Sequence, residues 1–395
     1  WLNYGHGIFW VSGRAGSGKS TLMKFIADDR RTRKSLEKWA EPNKLAIAAH
    51  YFWSAGTDMQ KSQQGLLQTL LYDMFRACPE QISRVCPLRW SNLSLLDSAT
   101  TNEWSTHELM EAIQELGQHP SSPRHCIFID GLDEFDGDHS EMCQALKRLS
   151  VSPNFKFCVS SRPWNDFEDA FGSNHSQKLR IHDLTHNNIL VYTQDRLLEH
   201  PRWDERYFQG EQMESLVDGI TNRAHSVFLW VFLVTRSLKK GLTDGSSMKY
   251  LEAKLRSFPD DLGPFFKHML QLIDPLYHRY MARTLRVATN AHEALNVLIY
   301  RGLENEEEDE NYVLNQTAGS FESDGSNFMF DQWCCRMNAR CGGLLEVKQD
   351  RVEFLDRTVR DFLLTKDMDD FLLQRSGPDF MLNLSTLKGF VFMLK

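Results

Sequence analysis

The chain has 395 residues, of which 42% are hydrophobic and 25% are charged, and its formal net charge is −8. These values are typical of a globular protein with enough chain for two or three domains, and the acidic balance gives no support to a nucleic-acid-binding surface. The longest apolar run, Val227 to Val234, is far too short to cross a bilayer. We therefore expect no nucleic-acid partner and no membrane span.

The cysteine pattern indicates the redox compartment of the protein, and the first residue indicates whether the sequence is an excerpt. Eight cysteines are scattered along the chain without a C-x-x-C pair, which is typical of a reducing compartment. No signal peptide is visible, so we expect a cytoplasmic location. Because the chain begins with Trp1 rather than Met, we treat it as an excerpt of a longer protein.

A glycine-rich stretch, Gly13–Thr21, fits the phosphate-binding pattern G-x-x-x-x-G-K-[ST]. An apolar run that reads as a strand precedes it and a helix start follows, which is the context the pattern needs. Backbone N–H groups of such a loop surround phosphate oxygens, the lysine contacts the outer phosphates, and the serine hydroxyl can bind Mg²⁺. The residues expected to bind nucleotide are Gly13, Gly16, Ser17, Gly18, Lys19, Ser20 and Thr21.

Short apolar runs alternate with amphipathic stretches over the first half of the chain. This alternation predicts a parallel sheet with helices on both faces, whose ligands bind at the carboxyl ends of the strands. The predicted strands are Ile8–Ser12, Leu45–Trp53, Cys126–Asp130, Phe155–Ser160 and Lys178–Ile181.

An apolar strand that ends in Asp130 carries the second motif, Phe128-Ile-Asp-Gly-Leu-Asp-Glu134. We expect the Asp130 carboxylate to lie beside the phosphate loop and to hold Mg²⁺, together with Ser20. Asp133 and Glu134 follow one turn later, where a carboxylate can orient or deprotonate an attacking water. An acidic turn that caps a helix would explain these two residues equally well.

Arg162 follows the next strand, in the run Ser160-Ser161-Arg162-Pro163. A guanidinium at this edge of the sheet could contact a γ-phosphate. A surface arginine that ends a strand before proline is an equally good interpretation.

Strand patterns disappear from about residue 185 to residue 256, and two short strands are expected later, at Leu344–Val347 and Arg351–Phe354. These changes suggest four parts. We expect an α/β nucleotide-binding domain at 1–184, a helical domain at 185–257 and a winged-helix-like domain at 258–365. An acidic, disordered insertion is expected at about 303–327, and a further helical region begins at 366–395. The fold class is therefore an α/β P-loop NTPase sheet followed by helical and winged-helix-like parts.

These motifs together resemble those of fungal NACHT-type, NLR-like proteins of the STAND class of P-loop NTPases. The resemblance extends over nearly the whole chain, and the combination is more specific than any one piece. Its segments are Phe9–Lys24, Tyr51–Ser62, Phe128–Glu134, Ser160–Trp164, Val227–Val231, Phe258–Leu262 and Phe354–Leu363.

The resemblance implies a slow, Mg²⁺-dependent ATPase that acts as a switch, in which ADP favours a closed monomer and ATP favours self-association. It also implies an N-terminal effector domain and C-terminal repeats outside this chain, and a role in innate immunity, self/non-self recognition or programmed cell death. Asp356 departs from the family, because a histidine that contacts ADP is usual there. We expect weaker ADP retention for this reason, although Asp356 could equally cap the helix that follows it.

Two other interpretations remain open at this point. A mechanical ATPase of the AAA type would need an arginine supplied across a ring interface, and no residue can be assigned to that role. A nucleotide-binding scaffold without turnover would share every motif described above, so turnover itself is left undecided by the sequence.

Overall fold

The structure is a computed structural model that describes residues 1–53, 57–93, 103–118, 123–203, 210–315 and 326–394. The chain divides into two compact units. Unit 1 comprises residues 1–195 and 225–228, and unit 2 comprises residues 196–224 and 229–395. Among the described residues, no helix combines the length and the apolar character that a membrane span requires.

Unit 1 contains a sheet of five parallel strands in the order β2-β3-β4-β1-β5. The strand that precedes the glycine-rich loop, β1, therefore lies between β4 and β5. The bounds are Gly7–Ser12 for β1, Leu45–Tyr51 for β2, Arg124–Asp130 for β3, Phe155–Ser161 for β4 and Lys178–Arg180 for β5. All five strands predicted from the sequence are confirmed, with ends that differ by one or two residues.

Helices cover both faces of this sheet, as its apolar runs predict. Side chains alternate along β3, so that Ile127 and Ile129 join one core while Cys126 and Phe128 join the other. Both sets are buried, which is why the strand is a continuous apolar run rather than an alternating one. Burial on both faces stabilises the sheet by roughly 25 cal/mol for each Å² of apolar surface removed from water.

The helices of the first part of the chain come from the amphipathic stretches between the strands. Counted along the chain, the first and second helices pack on one face of the sheet. The fourth, seventh, eighth and ninth helices pack on the other face. Their bounds are Lys19–Asp28 (α1), Arg30–Ala40 (α2), Asp58–Lys61 (α3), Gln63–Ala77 (α4), Ile82–Val85 (α5), Pro87–Leu93 (α6), Thr106–Gln118 (α7), His139–Leu149 (α8), Asn165–Phe171 (α9) and Ile181–Leu198 (α10).

The described residues of unit 2 are mainly helical, with one antiparallel hairpin formed by β6 (Leu345–Lys348) and β7 (Arg351–Phe354). The hairpin confirms the two short strands expected here. The helices are Gly210–Arg223 (α11), Phe228–Thr243 (α12), Met248–Ser257 (α13), Leu262–Gln271 (α14), His278–Asn290 (α15), Val297–Glu308 (α16), Tyr312–Asn315 (α17), Ser326–Arg340 (α18), Arg357–Leu363 (α19), Lys366–Ser376 (α20) and Leu382–Leu394 (α21).

The compact units divide the chain later than the composition suggests. Unit 1 continues to residue 195, which lies within α10, whereas the expected domain boundary is at 184. Residues 229–395 all fall in unit 2, so the finer divisions at 257/258 and 365/366 remain predictions.

The expectation of disorder at 303–327 is wrong for its first half. Residues 303–308 belong to α16 and residues 312–315 form α17. Two of the acidic residues here have basic partners: Glu304 lies 2.6 Å from Arg340, and Glu306 lies 2.6 Å from Lys388. Opposite charges from distant parts of the chain thus order a segment whose local composition is typical of disorder. Residues 316–325 lie outside the described residues.

Candidate functional site

The carboxyl ends of three strands bring the predicted site residues to one edge of the sheet. The register pairs Ser12 of β1 with Ser161 of β4, and Ile129 of β3 with Val159 of β4. Asp130, the last residue of β3, therefore lies level with the end of β4 in the sheet. In the sheet, β4 lies between β3, which carries Asp130, and β1, which leads into the phosphate loop. The expected role of Asp130 beside the loop stays a prediction.

The glycine-rich loop adopts the curled conformation that its motif predicts. Gly16 and Gly18 have φ angles of 69° and 90°, which side-chain-bearing residues rarely adopt. A Cβ on Gly13 would lie 2.5 Å from the Ser17 hydroxyl, so this close approach also requires glycine. Alternating conformations of this kind turn successive N–H groups toward one concavity, which is the geometry of an anion-binding nest.

Two polar groups of the loop could contribute to anion binding. The buried Ser17 Oγ has no hydrogen-bond partner within the described part of the chain. The Lys19 ammonium folds over the loop and donates to the carbonyl oxygens of Gly13 at 2.8 Å and Arg14 at 3.0 Å. A buried hydroxyl without a partner costs about 1–3 kcal/mol, which a ligand oxygen would offset.

Helix α1 adds its N-terminus to the same concavity. Its N-cap is Gly18, which offers no side chain to satisfy the first backbone N–H groups. Those groups and the positive end of the helix dipole are then available to an anion. The exposed Ser20 and Thr21 hydroxyls lie in the first turn of this helix.

Asp130 is buried and hydrogen-bonded to the neighbouring strand. The Ser160 hydroxyl donates to its Oδ1, and the Gly131 N–H donates to the same hydroxyl at 3.0 Å. Ser160 thus fixes the carboxylate at the tip of β3. Sequence reasoning gave Ser160 no role, although a hydroxyl residue at the end of the adjacent strand is a usable signal.

Asp133 does not face open space as a water-orienting carboxylate would. Its buried side chain pairs with Arg162, whose Nε lies 3.0 Å from Oδ2 and whose backbone N–H donates to Oδ1 at 3.1 Å. The two residues expected to act separately, Asp133 on water and Arg162 on phosphate, therefore hold each other. The sequence could not show this pairing because Asp133 follows β3 and Arg162 follows β4, 29 residues later in the chain.

Glu134 is the other candidate for water activation. It closes a single 3₁₀ turn, Leu132–Glu134, and its backbone N–H donates to the Gly131 carbonyl at 2.8 Å. Gly131 has a φ of 73°, and a Cβ there would lie 3.1 Å from the Glu134 carboxyl. The small residue after Asp130 therefore leaves room for the Glu134 side chain.

The donor set fits a magnesium ion. Ser20 offers an exposed hydroxyl and Asp130 a carboxylate, and hard oxygen donors of this kind suit Mg²⁺. The Asp130 Oδ2 makes no hydrogen bond to any described residue. One or two protein oxygens, completed by phosphate and water, is the usual protein share of such a site.

Asp356 has a clear local role in unit 2. It is the N-cap of α19, and its carboxylate accepts a hydrogen bond from the Thr358 N–H at 2.8 Å. The capping interpretation is therefore confirmed. The expected effect of Asp356 on ADP retention stays a prediction.

Two family models match parts of the chain. Residues 1–162 match the family described as nephrocystin 3, N-terminal. Residues 272–395 match a domain of unknown function, DUF7791. The first match ends at Arg162 and so includes the predicted site residues from Gly13 to Arg162 but not Asp356. No curated protein sequence matches this chain.

The sheet topology and the loop together settle the fold. Unit 1 has an α/β P-loop NTPase fold. Solved structures with a weak likeness include Cdc6p from Pyrobaculum aerophilum, at 11% identity, 94% and 91% coverage of the two chains, and a TM-score of 0.34. Another is the Aeropyrum pernix ORC1 protein in complex with DNA, at 8% identity, 93% and 88% coverage, and a TM-score of 0.34. At such scores these likenesses say nothing about the function of this chain.

Proposed function

We propose that this chain binds ATP and ADP with Mg²⁺ and works as a nucleotide-controlled switch with slow hydrolysis. The observation that carries the proposal is the phosphate loop. Its positive-φ glycines, the unpartnered Ser17 hydroxyl and the folded-over Lys19 surround the open N-terminus of α1. This arrangement suits the phosphates of a nucleotide.

Each residue has a distinct part in this proposal. The loop N–H groups bind the inner phosphates, and Lys19 exchanges its two carbonyl partners for outer phosphate oxygens, which are stronger acceptors. Ser20 and Asp130 would hold the metal ion, which when bound neutralises charge on the phosphates. Glu134 orients the attacking water, since Asp133 is already paired.

The ion pair between Asp133 and Arg162 favours slow turnover. While it is intact, Arg162 cannot contribute its full charge to a γ-phosphate, and a triphosphate must compete with a buried carboxylate for it. The same observation favours a second candidate, a nucleotide-binding scaffold without turnover. A steady-state hydrolysis rate in the presence of Mg²⁺ distinguishes the two.

The wider role is proposed from the resemblance to NACHT-type proteins and from the match over residues 1–162. On this proposal the nucleotide state controls self-association of a longer protein that carries effector and repeat domains. Its setting would be fungal innate immunity, self/non-self recognition or programmed cell death, in the cytoplasm.

Nucleotide content tests the central proposal. The purified chain is denatured and the released nucleotide is identified by chromatography, after preparation with and without Mg²⁺. We expect Lys19→Ala to weaken ATP and ADP binding by about a hundredfold, since it removes charge-assisted hydrogen bonds to phosphate. The matched control is Lys34→Ala, an exposed lysine of α2, which should bind as the wild type does. Wild-type affinity in Lys19→Ala would overturn the proposal.

A further inference from the structure

Unit 2 contains a cavity of about 510 Å³ that is independent of the phosphate loop. All of its lining residues belong to unit 2, and α12, α14 and α18 supply most of them. Its volume lies within the range of small-molecule sites. Most of the wall is apolar and aromatic, formed by Leu233, Phe258, Phe265, Met269, Ile273 and Tyr277.

Arg236 is a half-buried cation in the wall of this cavity. Its guanidinium donates to the carbonyl oxygens of Gly342 and Gly343 at 3.3–3.4 Å, beyond the usual range for such bonds. Among the described residues, no carboxylate lies within 4 Å of it. Burial lowers the pKa of the Arg236 guanidinium, and the Glu346 carboxylate acts in the opposite direction.

The position of Arg236 is maintained by the turn that follows α18. Gly343 has a φ of 71°, and a Cβ there would lie 2.2 Å from an Arg236 nitrogen. The guanidinium therefore rests directly on the backbone of this turn. Its direction is set by the fold rather than by an acidic partner.

The other charged groups of the cavity leave it net positive. Lys240 lies one turn after Arg236 on α12 and makes no ion pair with a described residue. Arg340 also lines the cavity, but Glu304 neutralises it at 2.6 Å. Asp274, the single lining carboxylate among the described residues, is exposed and accepts a hydrogen bond from the Leu276 N–H at 2.9 Å.

We propose that this cavity binds a small amphipathic carboxylate, with its head on Arg236 and Lys240 and its apolar body against the aromatic wall. Arginine binds a planar carboxylate through two parallel N–H groups, and a half-buried guanidinium gains most from such a partner. The apolar lining excludes a strongly hydrated polyanion, because most of that ligand would lose water without gaining hydrogen bonds. The head group can belong to a free fatty acid or to the C-terminus of an apolar peptide.

Calorimetric titration of the full chain with decanoate tests this site directly. We expect saturable binding with one decanoate per chain, and binding of 1-decanol and of decyltrimethylammonium that is weaker by about tenfold or more. Titration with the tripeptide Leu-Phe-Leu as free acid and as amide distinguishes the two sources. A preference for the free-acid peptide over decanoate indicates a polypeptide C-terminus, and the reverse preference indicates a free amphiphile.

Variants on α12 assign the binding to this cavity. Arg236→Gln should weaken decanoate binding by about tenfold, and Lys240→Gln by about threefold. Because Lys240 is exposed, its variant should fold even if Arg236→Gln does not. The matched control is Lys239→Gln on the same helix, whose side chain faces Glu199 at 4.0 Å and does not line the cavity.

Three results would each overturn the proposal: no saturable binding, equal affinity for decanoate and 1-decanol, or unchanged decanoate affinity in Lys240→Gln and Arg236→Gln. The proposal does not depend on the nucleotide site. A failure of Lys19→Ala to alter ATP binding would leave it untouched.

Discussion

At the residue scale, the pair formed by Asp133 and Arg162 has the largest consequence for the candidate site. The Asp133 side chain is 3% exposed and both of its oxygens accept from Arg162. Its charge is therefore satisfied within the protein before any ligand binds. Asp133 is better placed to position Arg162 than to activate water.

Asp133→Asn should destabilise the chain and also change its preference between nucleotides. Loss of the charge leaves Arg162 with a neutral partner, which should lower the free energy of unfolding by about 1–3 kcal/mol. The released guanidinium should then raise affinity for ATP relative to ADP. Urea unfolding and nucleotide titration measure the two effects. The control is Asp136→Asn, whose exposed carboxylate lies 3.8 Å from Lys61; an equal loss of stability in that variant would contradict the prediction.

Lys156 is a buried cation far from the phosphate loop along β4. Its ammonium donates to the carbonyl oxygens of Trp1 and Leu2, both at 2.8 Å, and lies 4.4 Å from the Trp39 ring centroid. Burial lowers its pKa from 10.5 to about 8. The folded chain therefore releases this proton at a lower pH than the unfolded chain does.

This difference predicts a rise in stability with pH between about 8 and 10.5, where the unfolded chain binds more protons. Relative to Lys156→Met, the wild type should gain about 2 kcal/mol of unfolding free energy from pH 7 to pH 9.5. Urea unfolding of both proteins at the two pH values measures the gain, and the other titrating groups cancel in the difference. The prediction is wrong if the difference in unfolding free energy between the wild type and Lys156→Met is constant with pH. It is also wrong if that difference changes in favour of the variant as the pH rises.

At the element scale, α16 and α21 of unit 2 pack closely against each other. A Cβ on Gly302 would lie 3.1 Å from the Gly389 Cα, and a Cβ on Gly389 would lie 2.8 Å from the Ile299 carbonyl oxygen. Two glycines thus allow the backbones to approach. The same crossing brings Lys388 to Glu306, which is why the acidic end of α16 is ordered.

Gly389→Ala should destabilise this crossing. The added methyl group meets backbone atoms, which cannot move aside as a flexible side chain can, and overpacking of this kind costs about 1–3 kcal/mol. Thermal denaturation by circular dichroism measures the loss. Gly210→Ala is the control, since a Cβ at Gly210 meets no atom of the described residues within 4 Å. If Gly389→Ala and Gly210→Ala had the same melting temperature, the close approach of the two helices would not be a source of stability.

At the scale of the whole molecule, the chain combines a nucleotide-binding fold with a second compact unit that has its own cavity. Under the proposed function, unit 1 binds either ATP or ADP, and the bound nucleotide changes the association state of the whole chain. Such coupling requires that ATP and ADP favour different association states.

Size-exclusion chromatography with light scattering tests this expectation. A nonhydrolysable ATP analogue with Mg²⁺ should increase the mean mass of the chain about twofold or more relative to ADP, by shifting the monomer–oligomer equilibrium. Lys19→Ala should show one mass under both conditions. An identical mass for the wild type with both nucleotides would argue for the scaffold rather than the switch.

The sequence by itself determined the elements whose cause is local. The five strands follow from apolar runs, the phosphate loop from its glycines and lysine, and the capping of α19 from Asp356. Each depends on residues within a few positions of one another, so periodicity and spacing were sufficient to predict them.

The tertiary structure alone decided features that join distant residues. The order of the strands placed β4 between β1 and β3, which paired Arg162 with Asp133 and Ser160 with Asp130. Residues 303–308 of the acidic stretch are helical, and two of their carboxylates pair with Arg340 and Lys388 from other elements. Attraction between opposite charges depends on their separation in space, and one sequence without its fold does not contain that distance.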